Sequence, residues 1–304
     1  MIIPVQDLCD PAFSIFHTLN EAQLRHYYEP EGGIFIAESA KVTERALDAG
    51  CVPHSMLVNN ALHTEEAERV LRRIGADFDI PVYTAPENVM TKITGYHLTG
   101  GLLCAMYRPE MPSPSELLSR IQKTASSGTD PDGNGIPKKQ DQENGCPDGI
   151  LQRIAVLENV TNPTNAGAII RSAAALGMDA VLFREGCADP LNRRAIRVSM
   201  GCVFQIPWTY ISEYSFLKEA GFHCVATALT DHAVSLLDPS LKQHEKLAVF
   251  MGAEGNGLFP ETIDFCDDTV CIPMQHGVDS LNVAAASAVM FWELGKHQEN
   301  SVLW

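Results

Sequence analysis

Apolar positions along the first hundred residues follow two rhythms. Ile34-Phe-Ile-Ala-Glu38 and Ser55-Met-Leu-Val-Asn59 are short β-branched and aliphatic runs that predict strands, and Val82–Thr84 and Leu102–Met106 continue the series. Between them, Val42, Ala46 and Leu47 recur at helical spacing, predicting a helix over 41–49 that stops at Gly50. Thr64 stands where an N-cap belongs, with Glu65 and Glu66 in the first turn, which predicts a helix reaching Ile74; a further helix is predicted over 87–93. The second half alternates in the same way. Strands are predicted at 154–157, 180–183, 224–228, 247–251 and 270–272, and helices at 166–176, 214–220 and 281–297. Apolar strands separated by helices predict an α/β fold with a parallel sheet covered on both faces.

One stretch breaks both rhythms. From Pro109 to Gly149 the chain is crowded with Pro, Gly, Ser, Asp, Asn and Gln and is nearly free of apolar residues after Ile121, so it reads as a polar linker, with a short helix at 115–122. The length of 304 residues suits two domains, placed at 1–108 and 150–304 with the linker at 109–149.

Composition narrows the class. The chain lacks an 18-residue apolar run, so no membrane span is expected, and its first residues lack the basic and apolar regions of a signal peptide. Nine cysteines without a Cys-x-x-Cys pair favour reduced thiols in a cytoplasmic protein. No histidine pair has metal-ligand spacing, and no metal is expected. With 22 basic against 38 acidic side chains the net charge is −16, and both halves are acidic, which argues on its face against nucleic acid.

Three segments of the second half carry candidate chemistry. In Glu158-Asn-Val-Thr-Asn-Pro-Thr-Asn-Ala-Gly-Ala-Ile-Ile-Arg171, Asn165 or Thr164 is placed to cap a helix, and Arg171 stands on an otherwise apolar helix, at a crevice or paired. In Phe250-Met-Gly-Ala-Glu-Gly-Asn-Gly257, glycines follow an apolar strand, where a backbone can approach a ligand closely, and Glu254 has no evident structural task. In Ile272-Pro-Met-Gln-His-Gly-Val-Asp-Ser-Leu-Asn-Val-Ala-Ala-Ala-Ser287, a turn at Gly277 leads to a helix for which Asp279 or Ser280 is the candidate cap, so that Ser280 and Asn282 fall at a buried helix start. That helix is apolar on nearly all sides, which predicts burial against more than one surface, a subunit interface included.

In this order and spacing the three segments closely resemble the motifs of the SpoU (TrmH-type) RNA 2′-O-ribose methyltransferases of the SPOUT class, over residues 151–296. The first half is similar to the family's ribosomal-protein-like α/β substrate-binding domain, through Phe35-Ile-Ala-Glu38, Lys41-Val42, Gly95-Tyr-His97 and Gly100-Gly101. The resemblance implies a C-terminal domain tied in a deep trefoil knot, through the segments 252–257 and 272–282. It also implies S-adenosylmethionine as cofactor, a homodimer formed through the C-terminal helix, and structured ribosomal or transfer RNA as substrate. It assigns catalysis to Arg171, Asn165, Glu254, Ser280 and Asn282, and cofactor binding to Gly252, Ala253, Gly257, Ile272, Met274, Ser280 and Leu281. Because a guanidinium holds its proton, Arg171 is expected to bind the neighbouring phosphate and stabilise the alkoxide as it forms. With Arg193, Arg194 and Arg197 it is expected to contact RNA; as bare sequence, those three read equally as a solvated helical face.

Two other readings compete. A catalytically idle RNA-binding protein of the same fold would have no use for all five catalytic positions. A nicotinamide enzyme would need a glycine fingerprint that Gly252-x-x-Gly255-x-Gly257 does not supply.

Overall fold

The computed structural model describes residues 2–5, 14–28, 32–61, 64–94, 101–127 and 151–296. The chain separates into two compact units, Met1–Met111 with Asp189–Gln205, and Pro112–Ala188 with Ile206–Trp304.

In the first unit, β1 (Ile2–Pro4), α1 (Ser14–His17), α2 (Glu21–Arg25), β2 (Ile34–Glu38), α3 (Ala40–Asp48), β3 (Pro53–Asn59), α4 (Glu65–Asp77), β4 (Val82–Ala85), α5 (Glu87–Thr94) and β5 (Leu102–Tyr107) follow one another. The five strands form one sheet in the order β1-β4-β3-β5-β2, parallel from β1 to β3 and antiparallel from β3 to β2. Thr64 caps α4 as its sequence suggests, its hydroxyl accepting from the Ala67 amide at 3.1 Å. The sequence reading had nothing before residue 34, yet α2 opens on a reciprocal capping box, Asn20 with Gln23. The motif residues 95–100 lie outside the described residues.

The segment 189–205, expected within the C-terminal domain, groups with the first unit. Its helix α8 (Arg193–Val198) is held there by charge: Arg193 and Arg197 both reach the buried carboxylate of Glu38, and Asp189 pairs with Arg108.

The second unit begins earlier than 150. Helix α6 (Pro114–Ser127) starts on a Ser113–Glu116 cap with Pro114 in its first turn, and buries Leu117, Leu118 and Ile121 in the unit's core. The rest of the expected linker, 128–150, lies outside the described residues. Then come β6 (Gln152–Leu157), α7 (Pro163–Ala175), β7 (Ala180–Arg184), β8 (Trp208–Ile211), α9 (Ser215–Glu219), β9 (His223–Thr227), β10 (Val234–Ser235), β11 (Lys246–Met251), α10 (Pro260–Phe265), β12 (Asp268–Cys271) and α11 (Val283–Leu294).

The seven strands form a fully parallel sheet in the order β10-β12-β9-β11-β6-β7-β8. Every residue of β6 is buried, as a strand covered on both faces requires. Side chains Ile154, Val156, Ala226, Ala248 and Phe250 meet α6 and α9 on one face. Helices α7 and α11 pack on each other. Val283, Ser287, Met290, Phe291 and Leu294 form the buried side of α11. The burial expected on all sides is not found within one chain, since Val289 is 40% and Trp292 62% exposed.

Candidate functional site

Parallel strands gather their carboxyl ends, and loops leaving those ends form the crevice where ligands bind in such sheets. Here β9, β11 and β12 deliver three such loops into one cavity of about 660 Å³, within the range of about 300–1,000 Å³ typical of small-molecule sites. Its wall comprises Thr227–Leu229 after β9, Met251–Leu258 after β11, and Cys271, Ile272, Met274 and residues 279–283 after β12.

The β11 loop is a tight hairpin in which Ala253 and Gly257 exchange backbone hydrogen bonds at 3.2 and 3.0 Å. A Cβ on Gly252 would stand 2.5 Å from the Gly257 carbonyl oxygen, so the two arms meet backbone to backbone. Gly255 and Gly257 have φ of +90° and +67°, the left-handed turn that closes the hairpin. The β12 loop turns at His276 and Gly277, φ +58° and +71°.

Helix α11 is capped by Asn282, not by Asp279 or Ser280. The Asn282 Oδ1 accepts from the Ala284 amide at 3.0 Å. Its Nδ2 donates to Asn165 Oδ1 at 3.3 Å and to the Glu254 carboxylate. One side chain thereby ties together α7, the β11 hairpin and the start of α11. The helix start expected to be buried is exposed, because Ser280 and Asn282 precede the helix and face the cavity.

Neither Asn165 nor Thr164 caps α7. Asn162 does, accepting from the Thr164 amide at 2.9 Å, with Pro163 in the first turn where its missing N–H costs nothing. Asn165, 8% exposed, is thereby left to bond Asn282.

All seven positions expected to bind the cofactor, Gly252, Ala253, Gly257, Ile272, Met274, Ser280 and Leu281, line the cavity, as do Glu254 and Asn282. Arg171 does not. It is exposed on α7 and has no hydrogen bond or ion pair among the described residues, so it is neither paired nor in this crevice. The three other arginines differ from one another. Arg193 bonds Glu38 and the Phe16 carbonyl (3.2 Å), Arg197 reaches Glu38 at 3.5 Å, and the exposed guanidinium of Arg194 has no partner among the described residues.

Sequence reasoning passed over two parts of the site. Thr227, Ala228 and Leu229 line the cavity from the end of β9, a place that the carboxyl-end rule alone would have indicated. Glu158, fully buried at the end of β6, accepts from Thr262 (2.6 Å), the Phe259 amide (2.7 Å), Tyr214 and Arg184. Burial acts to raise its pKa, but these bonds outweigh it and hold the carboxyl below its ordinary value. Through Phe259 it anchors the chain where the hairpin leaves the cavity. A carboxylate ending an apolar strand was the available signal.

The cavity's chemistry fits S-adenosylmethionine. Ile272, Leu258, Met274 and Ala286 supply apolar walls for a purine, the hairpin and the 272–282 loop supply backbone edges, and Glu254 and Asp279 bring negative charge toward a sulfonium and an ammonium. A parallel α/β sheet with such a pocket at its carboxyl ends defines a ligand-binding enzyme scaffold, and comparison with known proteins assigns it. Residues 152–292 match the SpoU rRNA Methylase family model. An uncharacterized tRNA/rRNA methyltransferase of Mycobacterium tuberculosis is 33% identical over 299 residues, 96% of this chain and 92% of that protein. The 23S rRNA (guanosine-2′-O-)-methyltransferase RlmB of Escherichia coli K12 is 34% identical over 166 residues, 52% of this chain and 67% of that protein. Among solved structures, an RNA 2′-O ribose methyltransferase superposes with a TM-score of 0.70 at 25% identity, covering 96% of this chain and 98% of that one. The fold is also that of an AdoMet-bound rRNA methyltransferase from Sinorhizobium meliloti, with TM-score 0.72 at 24% identity and coverage of 96% and 97%. The chain belongs to the SpoU rRNA methylase family. It is an RNA methyltransferase, and its methyl donor is S-adenosylmethionine. No helix among the described residues is long and apolar enough to cross a membrane.

Proposed function

We propose that the enzyme methylates a ribose 2′-hydroxyl in structured RNA, ribosomal RNA ahead of transfer RNA. The observation that carries this reading is the Asn282 side chain, which joins Asn165 and Glu254 at the rim of the cavity. Bound there, S-adenosylmethionine supplies an electrophilic methyl group on a charged sulfur. The backbone of Gly252, Ile272 and Leu281 would hold its adenine and ribose, with Ala253, Gly257, Met274 and Ser280 completing the wall. Asn282 fixes the Glu254 carboxylate and the Asn165 amide as a preformed polar rim for the incoming hydroxyl. Arg171, which lies outside the cavity wall and has no partner to give up among the described residues, would take the phosphate beside the target ribose and stabilise the alkoxide, while the Glu254 carboxylate at the rim would receive the 2′-hydroxyl proton as the methyl group transfers.

The surrounding assignments rest on the same family membership. The first unit would bind the RNA substrate, with Arg194 and the exposed part of Arg197 on the phosphate backbone. The segments 252–257 and 272–282 would follow the family's trefoil-knotted course. The Val289 and Trp292 face of α11 would close a homodimer, because an apolar face that open to water needs a cover. The setting would be cytoplasmic.

Mapping 2′-O-methylation across ribosomal and transfer RNA from a deletion strain tests the reading. One ribosomal site should lose its methyl group and regain it with purified enzyme and S-adenosylmethionine. An unchanged map, together with purified enzyme that labels neither RNA, overturns it.

A further inference from the structure

At the other end of the parallel sheet, three neighbouring strands bring together two imidazoles and a carboxylate. His223 opens β9, Asp268 opens β12, and His244 stands two residues before β11. One donor atom from each lies within 4.8 Å of the other two. The His223 and His244 rings stack face to face, with centroids 3.7 Å apart and planes 7° apart, and His223 Nε2 is 2.7 Å from Asp268 Oδ2. The other nitrogen of His223, Nδ1, faces Asp267 Oδ2 at 3.9 Å. Asp267 is itself fixed, accepting from Lys218 and from the Cys224 amide, each at 2.8 Å. At 2.7 Å His223 Nε2–H donates to Asp268; a cation entering between them would replace that proton, with Asp267 behind Nδ1 placed to hold the ring's remaining proton.

We propose that His223, His244 and Asp268 form a binding site for a divalent transition cation, zinc first, that clamps the amino ends of β9, β11 and β12. Two imidazole nitrogens and one carboxylate oxygen are a donor set that borderline first-row cations select, with water in the fourth position. Zinc–nitrogen bonds of about 2.0–2.1 Å place tetrahedral ligand atoms about 3.3 Å apart. The donors therefore close by about 1.5 Å at most. The stacked rings swing apart about their side-chain torsions until each nitrogen points at the ion. All three residues are half-buried, so they have room to turn while their strands stay in place. The clamp stands apart from methyl transfer, because the loops lining the cofactor cavity leave the opposite ends of the same strands. Nothing in the linear sequence marks it, since His223 and His244 are separated by 20 residues and Asp268 lies further on.

Untagged full-length protein, stripped with chelator, is titrated with Zn2+ by calorimetry and with Co2+ by absorption. One equivalent should bind per chain. The cobalt complex should show tetrahedral d–d bands without thiolate charge transfer, which excludes the cysteines. His223→Ala and His244→Ala should each weaken zinc binding tenfold or more and abolish the zinc-dependent rise in Tm, while affinity for S-adenosylmethionine stays within twofold. Absence of a stoichiometric site overturns the proposal, as does unchanged zinc affinity in both variants. Should His223→Ala fail to fold, His244→Ala and Asp268→Asn decide, and unchanged affinity in those two is equally fatal.

Discussion

Gly252→Ala tests whether the cavity depends on its hairpin touching itself. A methyl group at this position would lie 2.5 Å from the Gly257 carbonyl oxygen, with the Leu258 amide nitrogen nearer still. The nearest atom, the Gly257 carbonyl carbon, would stand at 2.2 Å, and an ordinary contact begins near 3.4 Å, so the arms must part by at least about 1.2 Å. The obstructing atoms are backbone, which cannot swing aside as a side chain would. Overpacking of this kind costs about 1–3 kcal/mol. Taken up by the hairpin as displacement, that cost weakens cofactor affinity by about 5–150-fold, at about 1.4 kcal/mol per factor of ten. Calorimetric titration with S-adenosylmethionine reads the affinity, and a thermal melt reads the share taken by folding. Gly75→Ala, exposed in the last turn of α4 with nothing near the added carbon, is the control and should stabilise by up to about 0.5–1 kcal/mol. Wild-type affinity and Tm in Gly252→Ala would refute the close approach and the cofactor pocket built on it.

Four further substitutions separate the remaining roles. Arg171→Lys should lose about 10²-fold or more in methyl transfer to RNA with cofactor affinity and Tm unchanged; wild-type turnover would remove Arg171 from the mechanism. Glu158→Gln should cost about 3–5 kcal/mol in denaturant unfolding at pH 7, by stranding Arg184 and weakening three other bonds. Because the Glu158 pKa is held down in the folded state, its stabilisation is present above the unfolded carboxyl value of about 4.3 and fades as pH falls through the lower native one, so the gap to Glu158→Gln should narrow in acid. The wild type should sediment as a dimer and Trp292→Glu as a monomer; a dimer that Trp292→Glu leaves unchanged, or a monomeric wild type, would exclude the α11 face. Arg194→Ala should lower RNA affinity and reduce the salt slope by about one, without changing Tm.

The strand and helix rhythm was legible because burial imposes it. Strand β6 is apolar because both faces are covered, and α3 carries Val42, Ala46 and Leu47 on the side it buries. The missed elements are short and lean on local chemistry instead of periodicity. Helix α2 has five residues and announces itself only by Asn20 and Gln23; α6 was expected as a short helix at 115–122 within a linker, and its start on Ser113, Pro114 and Glu116 and its length to Ser127 are what the polar stretch concealed. Both are capping boxes, readable from spacing alone once a search for them replaces a search for apolar runs. The segment 189–205 was misplaced for a different reason. Chain order suggested its domain, but the segment packs against β2 and is tied there by three ion pairs, and neither Glu38 nor Asp189 signals in sequence that it will meet an arginine.

The same asymmetry governs the site. Composition counts arginines but cannot see which are already engaged. Arg184 serves Glu158, Arg193 serves Glu38, Arg108 serves Asp189, and Arg153 donates to the carbonyls of Leu294, Gln152 and Glu245. Each is a cation withdrawn from any phosphate. Arg171 and Arg194 retain exposed guanidinium groups without a partner among the described residues, and Arg197 is only partly committed. A net charge of −16 is therefore compatible with an RNA substrate, because a count over the whole surface says nothing of the local charge where Arg171 and Arg194 stand exposed. The polar rim follows the same logic. Asn165 is available to Asn282 only because Asn162 and Pro163 relieve it of capping α7, so the residue that looked most like a structural cap is freed by its neighbours for the site.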